Sequence, residues 1–328
     1  MIRRSLRHLA VSAVLIAGAT TASSAEELSF AHFVPPQHTL TGSVIEPLRE
    51  GLASEVGDEL TIRVYPGGEL GKGPLEQYVR VLQGVADIVW GLPGYTSSQF
   101  PKTMIAEMPG VIALGEPGYP AIWRSMDMIK DEFPGTKPLA LWTSEPNIFI
   151  MKDKDIRTPD DLKGLKIRAA GSTTAAVLEA LGATPVQMPA GEIYNALQTG
   201  LIDGVVTGAS AVTDFKLSEV ADSYTIGAPL GRLTFYVVMS QSRYDGLSDD
   251  QRAAIDKYAG EYLSQSAETA WNRVAGETIA GLKADPDKTV IELDADEADA
   301  FGAITVPVTE TIATELGAED VLTSMRGE

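Results

Sequence analysis

The chain has 328 residues, 26 of them basic and 45 acidic, and no cysteine. Its formal net charge of −19 repels nucleic acid and anionic lipid headgroups. The missing thiols exclude disulfides, thiolate metal sites and cysteine nucleophiles, and at roughly 100 to 200 residues per domain the length allows two lobes with substantial cores.

Met1 to Ala25 reads as an export leader: Arg3, Arg4 and Arg7 form the basic region, Leu9 to Ala19 the apolar run and Ser23-Ser24-Ala25 the cleavage site. The apolar run is shorter than the ~20 residues that span a bilayer. The expectation is therefore a soluble periplasmic protein starting near Glu26, with no cysteine to carry a lipid anchor. Arg3-Arg4 hints at the twin-arginine route, but its flanks fit that motif poorly. Removing the leader's three arginines leaves 23 basic residues against 45 acidic, a net charge of −22. An anionic ligand would then need a local cation to hold it, since screening confines the general repulsion to about 8 Å.

Leu28 to Phe33 is expected as a strand, followed by a loop over Val34 to Thr39 and a helix to about Val56. Leu60 to Tyr65 alternates as a second strand, Pro74 opens a helix to about Gly84, and Asp87 to Gly91 makes a third strand. Strands alternating with helices predict a parallel sheet. Gly67 to Gly73 lacks the spacing and hydroxyl of a phosphate loop and reads as a turn. Leu92-Pro93-Gly94-Tyr95 follows the third strand, where α/β sheets place ligand loops; Tyr95 is either a ligand contact or a core aromatic. Tyr119 to Phe133 reads as an amphipathic helix, and Pro138 to Trp142 and Ile148 to Met151 as strands.

Thr158 to Gly208 is the densest stretch. Thr158 caps a turn starting at Pro159 with Asp160 and Asp161 behind it. Lys166 to Ala169 alternates as a strand, and Gly171 to Thr174 opens a helix through Leu181. Arg168 thus falls where a strand end meets a helix N-terminus, a setting that favours anions; the bland alternative is a surface strand residue. Thr234 to Ser240 is a further strand. Ser248 and Gln251 form a capping box, and a helical pattern then runs to about Lys283 with Gly260 and Gly276 as candidate bends. Asp294, Asp296 and Asp299 lack the glycine and glutamate of a calcium loop and read as a helix's acidic first turn.

Three ordered motifs, DLKGLKIR, LGATPVQMP and EIYNALQTGLIDG, with VYPGGELG at Val64 to Gly71 and GVADI at Gly84 to Ile88, closely resemble the solute-binding proteins of tripartite ATP-independent periplasmic (TRAP) transporters. The resemblance runs through both halves. It implies an α/β, two-lobed periplasmic binding protein fold with a hinge and a long lobe-spanning helix. The lobes would be residues 26–147, rejoined by about 236–275, and residues 148–235 with about 276–328. It also implies that Arg168 bonds a ligand carboxylate. Many members continue the third motif with Gln-Glu-Asn, where this chain has Val205-Val206-Thr207, leaving Thr207 one hydroxyl. An aromatic common in the family is Ala190 here, and an arginine of the sialic-acid branch aligns with Ile148.

After the leader only His32 and His38 remain as histidines, and no GxSxG, HExxH or CxxC motif occurs. The expected function is binding without turnover, with no cofactor and no metal. A carboxylate with an apolar or aromatic body, or a small dicarboxylate, would lie between closing lobes. Arg168 and Thr207 would grip it, with His32, Phe33, Gln37, Leu92 and Tyr95 from the first lobe and Gly171, Ala190 and Phe149 beside them. Sugar acids would leave hydroxyls unpartnered against such walls. By the resemblance the partner is a TRAP membrane permease driven by an ion gradient; a chemoreceptor or sensor kinase, and an organic-acid lyase or isomerase, are the alternatives.

Overall fold

The computed structural model describes residues 25–328, so the leader read at Met1 to Ala25 lies, but for its last residue, outside them. The first sheet takes β1 (Glu26–Ala31), β2 (Leu60–Tyr65), β3 (Ile88–Gly91) and β4 (Thr136–Thr143). The second takes β5 (Asn147–Met151), β6 (Lys166–Ala169), β7 (Thr184–Gln187), β8 (Gly204–Gly208) and β9 (Ser223–Ile226). The chain then returns to the first sheet with β10 (Thr234–Ser240) and to the second with β11 (Thr289–Glu292). The spatial orders are β2-β1-β3-β10-β4 and β11-β9-β5-β8-β6-β7.

The sheets are not purely parallel, as the alternation of elements had suggested. β1 runs parallel to β2 and β3, and β6 parallel to β7 and β8. β10 lies antiparallel between β3 and β4, and β5 antiparallel between β8 and β9. Both are crossing strands: each enters from the other lobe and so runs against its neighbours. The innermost strands, β3 and β5, are buried at every position, because helices or loops cover both faces of their sheets.

The helical stretch from Ser248 is one run broken once. The Ser248–Gln251 capping box starts a helix at Asp249–Tyr258, and a second runs over Glu261–Ala284. Between them Gly260 adopts φ 70° and ψ −136°, open only to glycine, and donates its N–H to Leu139 O at 2.7 Å. The second helix continues through Gly276. Its first half lies on β4 and its second half on the helix Ser210–Asp214 and on β11, so it spans the two lobes. Tyr119 to Phe133 is not one helix: it breaks at Ser125 into Tyr119–Arg124 and Met126–Ile129, then a tight turn Lys130–Glu132. At the break the Ser125 hydroxyl bonds that of Ser324, and Arg124 donates to the carbonyls of Ser324 and Met325. The C-terminal helix Glu319–Arg326, expected with the second lobe, therefore returns to rest on the first.

One buried ion pair ties the long helix to the crossing. Glu268 accepts from the N–H groups of Gly118 and Tyr119 at 2.5 and 2.8 Å, and lies 3.5 Å from Arg232. Burial pushes the Glu268 carboxyl above its ordinary pKa and pulls the Arg232 guanidinium below its own. Glu268→Ala would strand Arg232 as an unpaired buried cation, so a loss of about 3–5 kcal/mol is expected, read as a lower urea midpoint; an unchanged midpoint would contradict this role.

Candidate ligand-binding site

Arg168 is the third residue of β6, whose burial runs exposed, buried, buried, buried. Its side chain is 1% exposed. Nε and Nη2 donate to Met188 O at 3.0 and 2.9 Å, and Nη2 donates to Tyr95 Oη at 3.2 Å. Tyr95 Oη also accepts the Ala190 N–H at 2.9 Å, so the phenol's own hydrogen is left to donate elsewhere. Among the described residues no carboxylate pairs with Arg168, and its Nη1 has no partner. Burial pulls the guanidinium below its ordinary pKa, opposed by Tyr95.

Arg168 opens onto a cavity between the lobes. Its walls are largely aromatic: Phe33, Trp90, Phe215, Phe235 and Trp271, with Leu92, Leu233 and Ile193. Phe33 stacks on Trp90 at 4.9 Å and Trp90 on Phe235 at 5.7 Å, while Trp271 closes against Phe235 at 5.3 Å. Such rings offer flat faces at offset-stacking distance. The polar groups in the lining are few: Arg168, Tyr95, Thr207, Ser144, Ser210, His38 and Asp214.

Of the residues expected here from sequence, Arg168, Thr207, Tyr95, Leu92, Phe33 and Ala190 line this one cavity. Four do not. His32 is buried with both ring nitrogens unpartnered, outside the lining that its chain neighbour Phe33 joins. Phe149 falls on the opposite face of β5 by strand alternation and packs on Phe301 at 5.9 Å. Gln37 is exposed and lines two outer grooves instead. Gly171 lies outside the cavity because it abuts Gly94: a Cβ on it would sit 2.6 Å from the Gly94 Cα. That contact, with Ser172 N–H donating to Ser97 Oγ at 3.4 Å, covers the helix N-terminus expected to catch the anion. Residues missed in the sequence include Trp90, Phe215, Phe235, Trp271, His38 and Asp214; for the rings aromatic character was the available signal, which any core residue shares, and nothing local marked Asp214.

Further polar contacts join the lobes. Thr39 donates its N–H and hydroxyl to Asp214 Oδ1, each at 3.0 Å. Thr173 Oγ1 donates to Glu107 Oε2 at 2.8 Å, and the Thr234 N–H donates to Glu107 Oε1 at 3.0 Å. His38 Nε2 lies 3.4 Å from Asp214 Oδ2. Burial lowers the His38 pKa to about 3 and raises that of Asp214 to about 6, so a neutral imidazole faces a carboxylate. Glu107 and Glu145, both buried, are pushed up to about 7.

The family model for "bacterial extracellular solute-binding protein, family 7" matches residues 30–316, most of the chain. The chain belongs to that family. It is a family of solute-binding receptors, whose members include the TRAP solute-binding proteins. A TRAP solute-binding protein of Rhodoferax ferrireducens, solved with copurified benzoate, is 29% identical with a TM-score of 0.84, over 92% of this chain and 97% of that one. A marine metagenome TRAP solute-binding protein specific for aromatic acids, solved with 3-hydroxybenzoate, is 27% identical with a TM-score of 0.88, over 93% and 98%. The C4-dicarboxylate-binding periplasmic protein DctP of Rhodobacter capsulatus is 27% identical over 90% of this chain and 88% of its own. These neighbours confirm the two-lobed architecture, and the chain shares it along almost its full length.

Two predictions concern how this family 7 protein closes. Gly171→Ala would drive a methyl into Gly94 of the other lobe; overpacking of about 1–3 kcal/mol should weaken ligand by roughly 5- to 150-fold while circular dichroism stays unchanged. Wild-type affinity in this variant would mean that the two glycines need not meet. The second concerns pH. A carboxyl raised from 4.5 to about 7, as at Glu107 and Glu145, contributes stability that is complete below 4.5 and lost as pH rises through 7. The urea midpoint should fall from about pH 5 to about pH 8, and less so in Glu107→Gln; an equal fall in both proteins would remove Glu107 as a cause.

Proposed function

We propose that the chain is a periplasmic receptor that captures an aromatic monocarboxylate between its lobes and delivers it to a TRAP-type permease driven by an ion gradient. One observation carries this reading: a buried guanidinium without an acidic counter-ion, opening onto a cavity walled by aromatic rings. The free Arg168 Nη1 and the Tyr95 hydroxyl are two donors for one carboxylate, and charge-assisted hydrogen bonds of this kind are the strong ones. Thr207 offers a further hydroxyl. Phe33, Trp90, Phe235 and Trp271 suit the flat face of a ring, as benzoate or a phenylacetate would present. Asp214 in the lining disfavours a second carboxylate, so the dicarboxylate alternative drops behind. The aromatic acids held by the two structural relatives agree with this choice.

The moving bodies in this reading are residues 26–147 with about 236–275, and residues 148–235 with about 276–316, the last helix riding on the first. The hinge lies where the chain crosses, between β4 and β5, between β9 and β10, and along the long helix. Periplasmic placement rests on the leader; among the described residues no helix is long and apolar enough to cross a membrane. Loss of gradient-driven uptake of the acid on deleting the gene would support the permease partner, and unchanged uptake would count against it.

Calorimetric titration of the mature protein with benzoate, phenylacetate, succinate and glucuronate tests the ligand class. Binding is expected for the two aromatic acids only. Arg168→Ala leaves the carboxylate unpaired, a loss of about 3–5 kcal/mol, and should weaken binding by roughly two to three decades or more. Tight binding of succinate or glucuronate, or of benzoate by Arg168→Ala, would overturn the proposal.

A further inference from the structure

The cavity has a second polar place, and the aromatic wall separates it from Arg168. Neighbours along that wall follow one another: Arg168 to Tyr95 at 3.2 Å, Tyr95 to Phe33 at 6.0 Å, Phe33 to Trp90 at 4.9 Å, and Trp90 to His38 at 5.6 Å. His38 then faces Asp214. Arg168, His38 and Asp214 line one cavity, so an aromatic acid held at Arg168 shares that enclosure with the pair.

The pair is held in one protonation pattern and is incompletely joined. His38 Nδ1 accepts the Leu40 N–H at 3.1 Å, which puts the ring hydrogen on Nε2. Asp214 Oδ1 is occupied by the two Thr39 donors, which leaves Oδ2 facing Nε2. The separation of 3.4 Å exceeds the ~2.9–3.0 Å of a usual N–H···O bond, and no hydrogen bond forms between the two. A donor and an acceptor thus stand side by side at the cavity wall, each poorly satisfied.

We infer that His38 and Asp214 read a ring hydroxyl, so that the preferred ligand is a hydroxylated aromatic monocarboxylate. This rests on the proposed function and names its substrate more narrowly. A hydroxyl donates once and accepts through its lone pairs, so it takes the Nε2–H of His38 while giving its own hydrogen to Asp214 Oδ2. No simpler substituent does both. An ammonium satisfies Oδ2 but leaves Nε2–H without an acceptor, a carboxylate accepts from Nε2–H but meets the Asp214 charge, and a bare ring edge leaves both groups desolvated. Sites built to bond a substrate hydroxyl discriminate strongly against the analogue that lacks it.

The test is calorimetric titration of the mature protein with benzoate, its three monohydroxy isomers and benzene-1,3-dicarboxylate. At least one hydroxybenzoate should bind about tenfold or more tighter than benzoate, as expected for a hydrogen bond to a charged group, and the dicarboxylate should bind weaker than benzoate. Asp214→Asn keeps an oxygen for the Thr39 donors but turns the other atom into a donor, so the ratio of hydroxybenzoate to benzoate affinity should fall below about threefold. His38→Phe should lower the same ratio, and serves if Asp214→Asn does not fold. Wild-type protein that binds benzoate as tightly as every hydroxybenzoate, or a preference that survives in a folded variant, overturns the inference and leaves the proposed function standing. Wild-type protein that binds none of these monocarboxylates overturns both.

Discussion

A guanidinium removed from water without an acid beside it is the constraint on which this structure turns. Desolvating a full charge is expensive, and Arg168 recovers only part of its hydration through the Met188 carbonyl and the Tyr95 phenol. The remaining donor is directed by these contacts rather than free to wander. Fixing Nε and Nη2 from behind orients the planar group, as the proposed capture of a carboxylate in one geometry requires. The aromatic walls follow from the same constraint, because few competing polar groups near the guanidinium means little alternative for an anion that enters.

The two lobes meet through contacts that are small and specific. Gly94 on Gly171 lets two backbones approach as no side chain would permit, and Tyr95 crosses from one lobe to complete the other lobe's arginine. Thr39 with Asp214, and Thr173 with Glu107, add polar ties at two further points. Hydrogen bonds to charged groups such as these are worth about 1.5–3 kcal/mol each net. A ligand that binds both lobes at once therefore shifts the balance between open and closed forms by its differential contacts with the closed one. Behind the cleft the Glu268–Arg232 pair and the Gly260 break keep the first half of the long helix attached to the first lobe and to the crossing.

Much of this was legible in the chain because its signals are local. The strand Lys166–Ala169, the glycine turn after it and the helix over Ser172–Ala180 are set by neighbours within a few residues, so Arg168 could be placed at a strand end. Thr207 and Ala190 followed from motif positions. The aromatic wall was not legible, since Trp90, Phe215, Phe235 and Trp271 come from four separate segments and meet only through tertiary packing. The period of two along strands accounts for Phe149, which faces away from the cavity; of the neighbours His32 and Phe33, both expected there, only Phe33 lines it. The direction of β5 and β10 was also hidden, because alternation of strands and helices describes a lobe whose chain never leaves, and this chain crosses between lobes three times.

The most direct measurement is a crystal structure of the mature protein grown with benzoate. The account predicts the carboxylate at hydrogen-bond distance, about 2.7–2.9 Å, from Arg168 Nη1, with its second oxygen at the Tyr95 hydroxyl and its ring lying on Phe33 and Trp90. Benzoate bound elsewhere, or in this cavity with its carboxylate away from Arg168, would contradict the claim that the unpaired guanidinium is what the receptor is built around.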